Sequence, residues 1–195
     1  MLVNADLHTH SCFSAATSKD MVINNIAPKS REKGLNLVGT GDAFHPKWLD
    51  IVAESTEYKG DGIYSHEDCD FILTTEVEAQ HKIHHVIILP NIEVARELSE
   101  KLVSPNKYID GRPRSPLSGA ELFELVKEYD CMIGPAHSFT PWTGMYKTYD
   151  SIYDCYEKAP DFVELGLSAD TDMADTVKEL AYVVFLTNSY AHSPW

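Results

Sequence analysis

The chain has 195 residues, 44% hydrophobic and 24% charged, a balance that suits one globular domain with a real core and excludes a disordered or fibrous chain. Its formal net charge of −14 argues against a nucleic-acid grip spread over the whole surface, although acidic ligands gathered around divalent cations would be counted here as bare negative charge. No basic and apolar leader opens the chain and no apolar run approaches the ~20 residues that span a bilayer, so a cytoplasmic protein without membrane contact is expected.

Leu2 and Val3 read as a short strand, and Ala5-Asp-Leu-His-Thr-His-Ser11 follows it. His8 and His10, at i and i+2, leave one face where that strand ends, a place to hold a metal; alone, H-x-H is as readily a solvated loop. Cys12, Cys69, Cys131 and Cys155 form no C-x-x-C pair and signal neither a zinc knuckle nor a disulfide framework. A helix is expected over 19–33, capped by Thr17 or Ser18, stopped by Gly34 and kinked or split by Pro28. Residues 35–40 read as the second strand, followed by a loop with Asp42 and His45, then helical spacing over 48–56. The polar stretch 58–70 reads as a loop.

Phe71–Val77 is the third expected strand, with Glu76 and Glu78 on one side, and His84–Leu89 the fourth, stopped by Pro90. Ile92–Val103 has amphipathic helical spacing. The loop 104–118 carries Lys107, Arg112 and Arg114, and Ser118 reads as the cap of a helix over 120–129. The fifth strand spans 131–136 and ends at His137; an aromatic loop over 138–149 and a short helix over 151–158 follow. Phe162–Gly166 is the sixth strand, 170–181 a helix, and Tyr182–Thr187 the seventh strand.

Strands alternating with helices imply a parallel sheet covered on both faces. His8, His10, Asp42, His45, Glu76, His137 and His192 all fall at or just after strand ends. Such ends converge on one mouth in a βα barrel, whereas strands at opposite edges of an open sheet could not share a site, so a barrel is expected.

Asp6-Leu-His8-Thr-His10-Ser, Thr-Gly-Asp42, Glu76 with His-His-Val-Ile-Ile-Leu, Pro-Ala-His137 and Asn-Ser-x-Ala-His192, in that order along nearly the whole chain, resemble the motifs of a PHP (polymerase and histidinol phosphatase) domain. The resemblance implies an α/β fold, a distorted (βα)7 barrel with two or three divalent metal ions (Zn, Mn or Mg) at its mouth, here lacking the last covering helix. Ala16-Thr-Ser-Lys-Asp-Met21, Gly-Pro-Ala-His137-Ser-Phe-Thr-Pro-Trp142 and Ala-His-Ser-Pro194 are most similar to endonuclease Q and its relatives. Those enzymes cut DNA on the 5′ side of deaminated bases, and their PHP barrel is followed by zinc-binding and helical domains. By the same resemblance 1–195 is one phosphoesterase domain, the N-terminal part of a longer enzyme.

Carried over residue by residue, the resemblance makes His8, His10, Asp42, Glu76, His85, His137 and His192 metal ligands, with Glu76 bridging. All of these except His85 are also taken as catalytic. His84 is the close alternative to His85, since strand alternation lets only one face the mouth, and Glu78 the alternative to Glu76. The histidine that often follows the second-motif aspartate is Ala43 here, which leaves His45 as a substitute. Tyr190 stands where the family pattern has a ligand aspartate, so one metal position is expected to be weakened. With three residues after His192, one face of the last strand is expected to need a C-terminal region or a partner chain.

Imidazole and carboxylate ligands suit zinc or manganese, and neighbouring ions lower the pKa of a water between them and clamp the attacking and leaving oxygens of a phosphate ester. Lys19, Arg112 and Arg114 stand where phosphate oxygens would lie, although loop cations are commonly just solvated. Phe44 and Trp142 are expected to pack the loops of the barrel top, His66 and His81 to lie on the surface, Asp170 to cap a helix, and Glu164 to be an interior or a ligand residue. Three function classes remain: a DNA endonuclease of the endonuclease Q type, a small-molecule phosphatase of the same fold, and a degenerate barrel that binds metal or a partner without turnover.

Overall fold

The computed structural model describes residues 3–195; Leu2, half of the apolar pair expected to open the first strand, lies outside them. Strands and helices follow in the order β1 (Ala5–Asp6), α1 (Ile23–Glu32), β2 (Leu37–Gly39), α2 (Pro46–Ser55), β3 (Glu57–Gly60), β4 (Ile63–His66), β5 (Cys69–Glu78), β6 (His84–Leu89), α3 (Ile92–Lys101), α4 (Gly119–Lys127), β7 (Met132–Pro135), α5 (Ile152–Tyr156), β8 (Val163–Glu164), α6 (Thr171–Ala174) and β9 (Phe185–Leu186). Among the described residues no helix is long and apolar enough to cross a membrane.

The sheet is mixed and curls into a half-barrel around β5. This ten-residue strand pairs in parallel with β2, antiparallel with β4 through its first residues, and antiparallel with β6 from Leu73 to Glu78. The all-parallel sheet expected from alternation is thereby corrected. Only Ala79–Ile83 join β5 to β6, and so short a link can close a hairpin but cannot cross over. β7 pairs antiparallel with β6, and β8 and β9 form a two-stranded parallel sheet beside it. The sheet's two ends are drawn together where Thr9 bridges Ala191 in parallel and the His10 amide donates to the Ala191 carbonyl at 3.1 Å. On the other side, the Ser138 amide donates to the Glu164 carbonyl at 2.8 Å.

A second correction concerns 57–66, where β3 and β4 form a hairpin instead of a loop. Asp61 and Gly62 turn it with φ of 51° and 79°, the double left-handed pair of a type I′ turn. Helix α1 begins at Ile23 after Val22, without a side-chain cap, and runs unbroken through Pro28. Of the kink or split expected there, the split does not occur. Helix α3 is capped by Asn91, α4 by Ser118 in a reciprocal capping box with Glu121, and α6 by Asp170. The helix expected over 170–181 is shorter, one turn of α-helix followed by a 3-10 turn at 178–180.

Helices α1 to α3 bury one stripe each against the sheet. Ile23, Ile26, Trp48, Leu49, Val52, Ala95 and Leu98 join Phe71, Leu73, Val77, Ile87 and Ile133 in one continuous core, the non-directional driving force for the curl. Trp48 also ties α2 to the end of β2 by donating to the Gly41 carbonyl at 2.9 Å. All four cysteines are free thiols.

Candidate metal centre

Glu76 is the centre of the polar interior. It lies near the C-terminal end of β5, is 3% exposed, and is surrounded by four histidines from three segments. Its Oε1 lies 2.8 Å from His84 Nδ1, 3.0 Å from His137 Nε2 and 3.4 Å from His8 Nε2, while its Oε2 lies 3.7 Å from His10 Nε2. Ligand atoms of His8, His10 and Glu76 fall within 4.8 Å of one another, and so do those of Glu76, His84 and His137. Burial alone would raise the Glu76 carboxyl; His84, His137 and His8 outweigh it and hold the group well below the usual carboxylate range. Burial opposes charge on His8, but Glu164 and then Glu76 outweigh it and raise its pKa to about 10. His84 is raised to about 9 in the same way by Glu76 and Glu78. A buried anionic pocket that pulls His8 and His84 toward the cationic form is one that calls for positive charge.

Each of the first two histidines has a carboxylate behind it. His8 Nδ1 sits 3.0 and 2.9 Å from the two oxygens of Glu164, which also accepts from the His137 amide at 2.8 Å and from Asn188 Nδ2 at 2.7 Å. His10 Nδ1 lies 3.3 Å from Asp42 Oδ1. With Nδ1 so engaged, Nε2 of each ring is left facing the Glu76 side. His8 Nε2 is buried there without a hydrogen-bond partner. A carboxylate on the far nitrogen fixes the tautomer and orientation of a ligating imidazole, so the donor set fits a divalent ion held by nitrogen and oxygen.

The position of Asp42 corrects its expected role as a direct ligand. Its oxygens are taken by the Ser11 amide at 2.7 Å, the Ser11 hydroxyl at 2.6 Å, the Ser14 hydroxyl at 2.9 Å and His10, and it belongs to neither ligand group. His85 is also corrected. Strand alternation turns it to the back of β6, where its Nδ1 meets the Tyr156 hydroxyl at 2.5 Å and burial drives its pKa down to about 3, so His84 is the one that reaches Glu76. His45 packs its ring on Phe13 at 4.4 Å and supplies no substitute for the histidine missing at Ala43. His192 stands beside His10, ring centroids 4.7 Å apart, with Nδ1 3.0 Å from the Thr17 hydroxyl, outside both groups. Glu78 lies 3.5 Å from His84 Nε2.

Tyr190 closes the remaining side. Its ring stacks on His137 at 4.7 Å and lies tilted over His8 at 4.6 Å. Its φ of 57° is left-handed, as are those of Asp42 at 49° and His137 at 33°, three strained positions within the site. The His137 turn needs Gly166, whose absent Cβ would stand 2.7 Å from that of His137.

Of the loop residues, Phe44 and His81 lie as expected, whereas Lys19, Trp142 and His66 do not. Lys19 donates to the Cys12 carbonyl at 2.9 Å and serves the loop. Phe44 is buried, whereas Trp142 is 74% exposed. His66 is half-buried with Nδ1 at 2.6 Å from the Ser55 carbonyl, and His81 is exposed. Glu164 was legible only as an interior or ligand residue, and no spacing in the chain announces that it stands behind His8.

No protein-family profile matches the chain. It is similar to the lesion-specific endonuclease PfuEndoQ from Pyrococcus furiosus, with 46% identity and a TM-score of 0.97 over 100% of this chain and 49% of that one. The fold of the chain is similar to that of about half of endonuclease Q. A structure of endonuclease Q with a 27-mer duplex carrying an abasic lesion at its active site gives a TM-score of 0.96 at 46% identity, over 100% of this chain and 50% of that one. The protein MJ0043 of Methanocaldococcus jannaschii, itself uncharacterized, is 46% identical over 145 residues, 73% of this chain and 17% of that protein. The chain therefore spans about half the length of the endonuclease Q structures it matches.

Proposed function

We propose that residues 1–195 form one PHP-type domain, a distorted (βα)7 barrel, that hydrolyses phosphodiester bonds as the metal-dependent unit of a DNA endonuclease acting at deaminated bases. The observation that carries this reading is the unpartnered, buried Nε2 of His8 facing a Glu76 already ringed by histidines. A buried polar atom without a partner costs roughly 1–3 kcal/mol, and a cation is the partner the surrounding donors fit. The similarity to endonuclease Q, including its complex with damaged duplex, supports DNA as the substrate class.

His8, His10 and Glu76 would hold one divalent ion and Glu76, His84 and His137 a second, zinc or manganese by the chemistry of the donors. Such ions supply Lewis-acid polarisation of the phosphoryl oxygens and a nucleophile at neutral pH. Glu164 and Asp42 keep the proton on Nδ1 of His8 and His10, so that Nε2 can donate its electron pair. Glu76, held ionised, is common to both groups and would be shared between the two positions. His192 and Thr17 border the mouth beside His10, and no serine or cysteine nucleophile is needed.

Elemental analysis of the purified chain, followed by incubation with uracil- or hypoxanthine-containing DNA, tests the reading. About two equivalents of metal and chelator-sensitive nicking are expected. Absence of nicking, even with the remainder of the relatives' length supplied, would defeat the endonuclease assignment. Release of phosphate from small esters with DNA left intact would instead favour a small-molecule phosphatase. Near-zero metal would favour a barrel without turnover, the outcome to which the aromatic ring at Tyr190 lends weight.

A further inference from the structure

Beside Glu76 and His84 opens a cavity of about 210 Å³ whose wall carries Arg112 and Arg114. Pro113 between them locks φ and keeps its predecessor extended. The segment is added to the end of β5 as a parallel bridge, with the Glu78 amide donating to the Pro113 carbonyl at 3.0 Å and the Ser115 amide to the Glu78 carbonyl at 2.7 Å. Both arginines line the cleft, together with Glu78 and Asp110. The segment is braced from behind. Asn106 accepts from the Arg114 amide at 2.8 Å and donates to the Arg112 carbonyl at 3.1 Å, and Gly111 lies so close to Asp42 that any Cβ there would collide with the carboxylate.

Neither cation is used up by the fold. Arg112 Nε is buried without a hydrogen-bond partner and its nearest carboxylate oxygen, on Asp110, is 3.8 Å away; one terminal nitrogen donates to the Ala15 carbonyl at 3.1 Å. Arg114 Nε lies 3.7 Å from Glu78, and its side chain is 65% exposed. The chain's other arginines, Arg31 and Arg96, close ion pairs at 2.6 and 2.7 Å. In a chain of net charge −14, two adjacent under-paired guanidinium groups at the lip of one cleft are placed for an anion that arrives from outside, and their forked donors match phosphate oxygens.

We propose that Arg112 and Arg114 form a clamp for the phosphodiester backbone next to the reacting phosphate, Arg114 at the outer lip and Arg112 deeper in the cleft. This rests on the reading of the chain as a DNA phosphoesterase. The clamp supplies a local basic contact where the surface as a whole repels nucleic acid.

The test is fluorescence anisotropy of the full chain with an undamaged duplex over a series of salt concentrations, comparing wild type, Arg114→Ala, Arg112→Lys and Arg96→Ala. Loss of one phosphate contact lowers the slope of log K against log salt by about 0.9. Arg114→Ala should show that drop with bound metal unchanged, Arg112→Lys should weaken binding with a smaller change in slope, and Arg96→Ala should match wild type. An unchanged slope in Arg114→Ala, or an equal drop in Arg96→Ala, overturns the clamp. Should the wild type ignore duplex altogether, the DNA reading fails and the clamp is judged with inorganic phosphate by calorimetry. A loss of about tenfold in affinity in Arg114→Ala then upholds it for a small ester, whereas equal binding, or none by wild type, overturns it.

Discussion

The two sides of the mouth are built differently. On the Glu76 side, the ligand atoms come from a ten-residue strand and its neighbours, and His8 and His10 each have a buried carboxylate holding Nδ1. On the other side, residues 188–192 follow the two-residue β9 and are held by polar contacts. Asn188 bridges the Leu7 amide and Glu164, each at 2.7 Å, Ser189 donates to Asp6, and Ala191 bridges Thr9. The segment is thus tied to its neighbours at several points, yet the side chain it presents to His8 and His137 is the aromatic ring of Tyr190. The backbone of a site can therefore be set by its neighbours while one position in it carries different chemistry. The left-handed φ at Tyr190 suits aspartate better than a bulky phenol, so the turn strains the residue it now holds.

Removing the centre of the stronger side should have the largest effect. Glu76→Gln, which trades the central buried charge for an amide, should lose bound metal and lower any hydrolytic rate by about 10³-fold or more, read by elemental analysis and steady-state kinetics. Glu164→Gln and Asp42→Asn act behind the histidines and should each weaken metal binding by roughly 10 to 100-fold in a chelator competition. If Asp42→Asn costs as much as Glu76→Gln, Asp42 is a direct ligand after all.

The two faces of β6 should separate cleanly. His84→Ala should lose metal with little change in melting temperature. His85→Leu should keep its metal but strand the Tyr156 hydroxyl in the core, at a cost of about 1–3 kcal/mol in denaturant unfolding. The smallest change concerns the other side of the mouth: Tyr190→Asp should take up about one further metal equivalent. No gain in metal there would mean that the aromatic ring is not what limits the site.

Much of the fold was legible where local chemistry is strong. β6 occupies the expected span, Ser118 caps α4 as its spacing with Glu121 suggests, and Asp170 caps α6. Two misreadings had signals in the chain. Asp61-Gly62 is a strong hairpin pair hidden among polar neighbours, and the short Ala79–Ile83 link already forbade a parallel step from β5 to β6. Others had none, because helix propensity and capping are local whereas Pro28 is carried within α1 by packing of the buried stripe around it.

For the site, the sequence by itself determined which residues could bind a cation and that they fall at strand ends, because side-chain chemistry and strand periodicity are local properties. It also determined that only one of His84 and His85 could face the mouth. Only the tertiary structure decided that this one is His84, that Glu164 stands behind His8, that Asp42 is consumed by Ser11, Ser14 and His10, and that Tyr190 lies on two of the histidines. Those facts depend on how the sheet curls and which segments meet across it, and no spacing along the chain encodes distances between residues brought together from opposite ends.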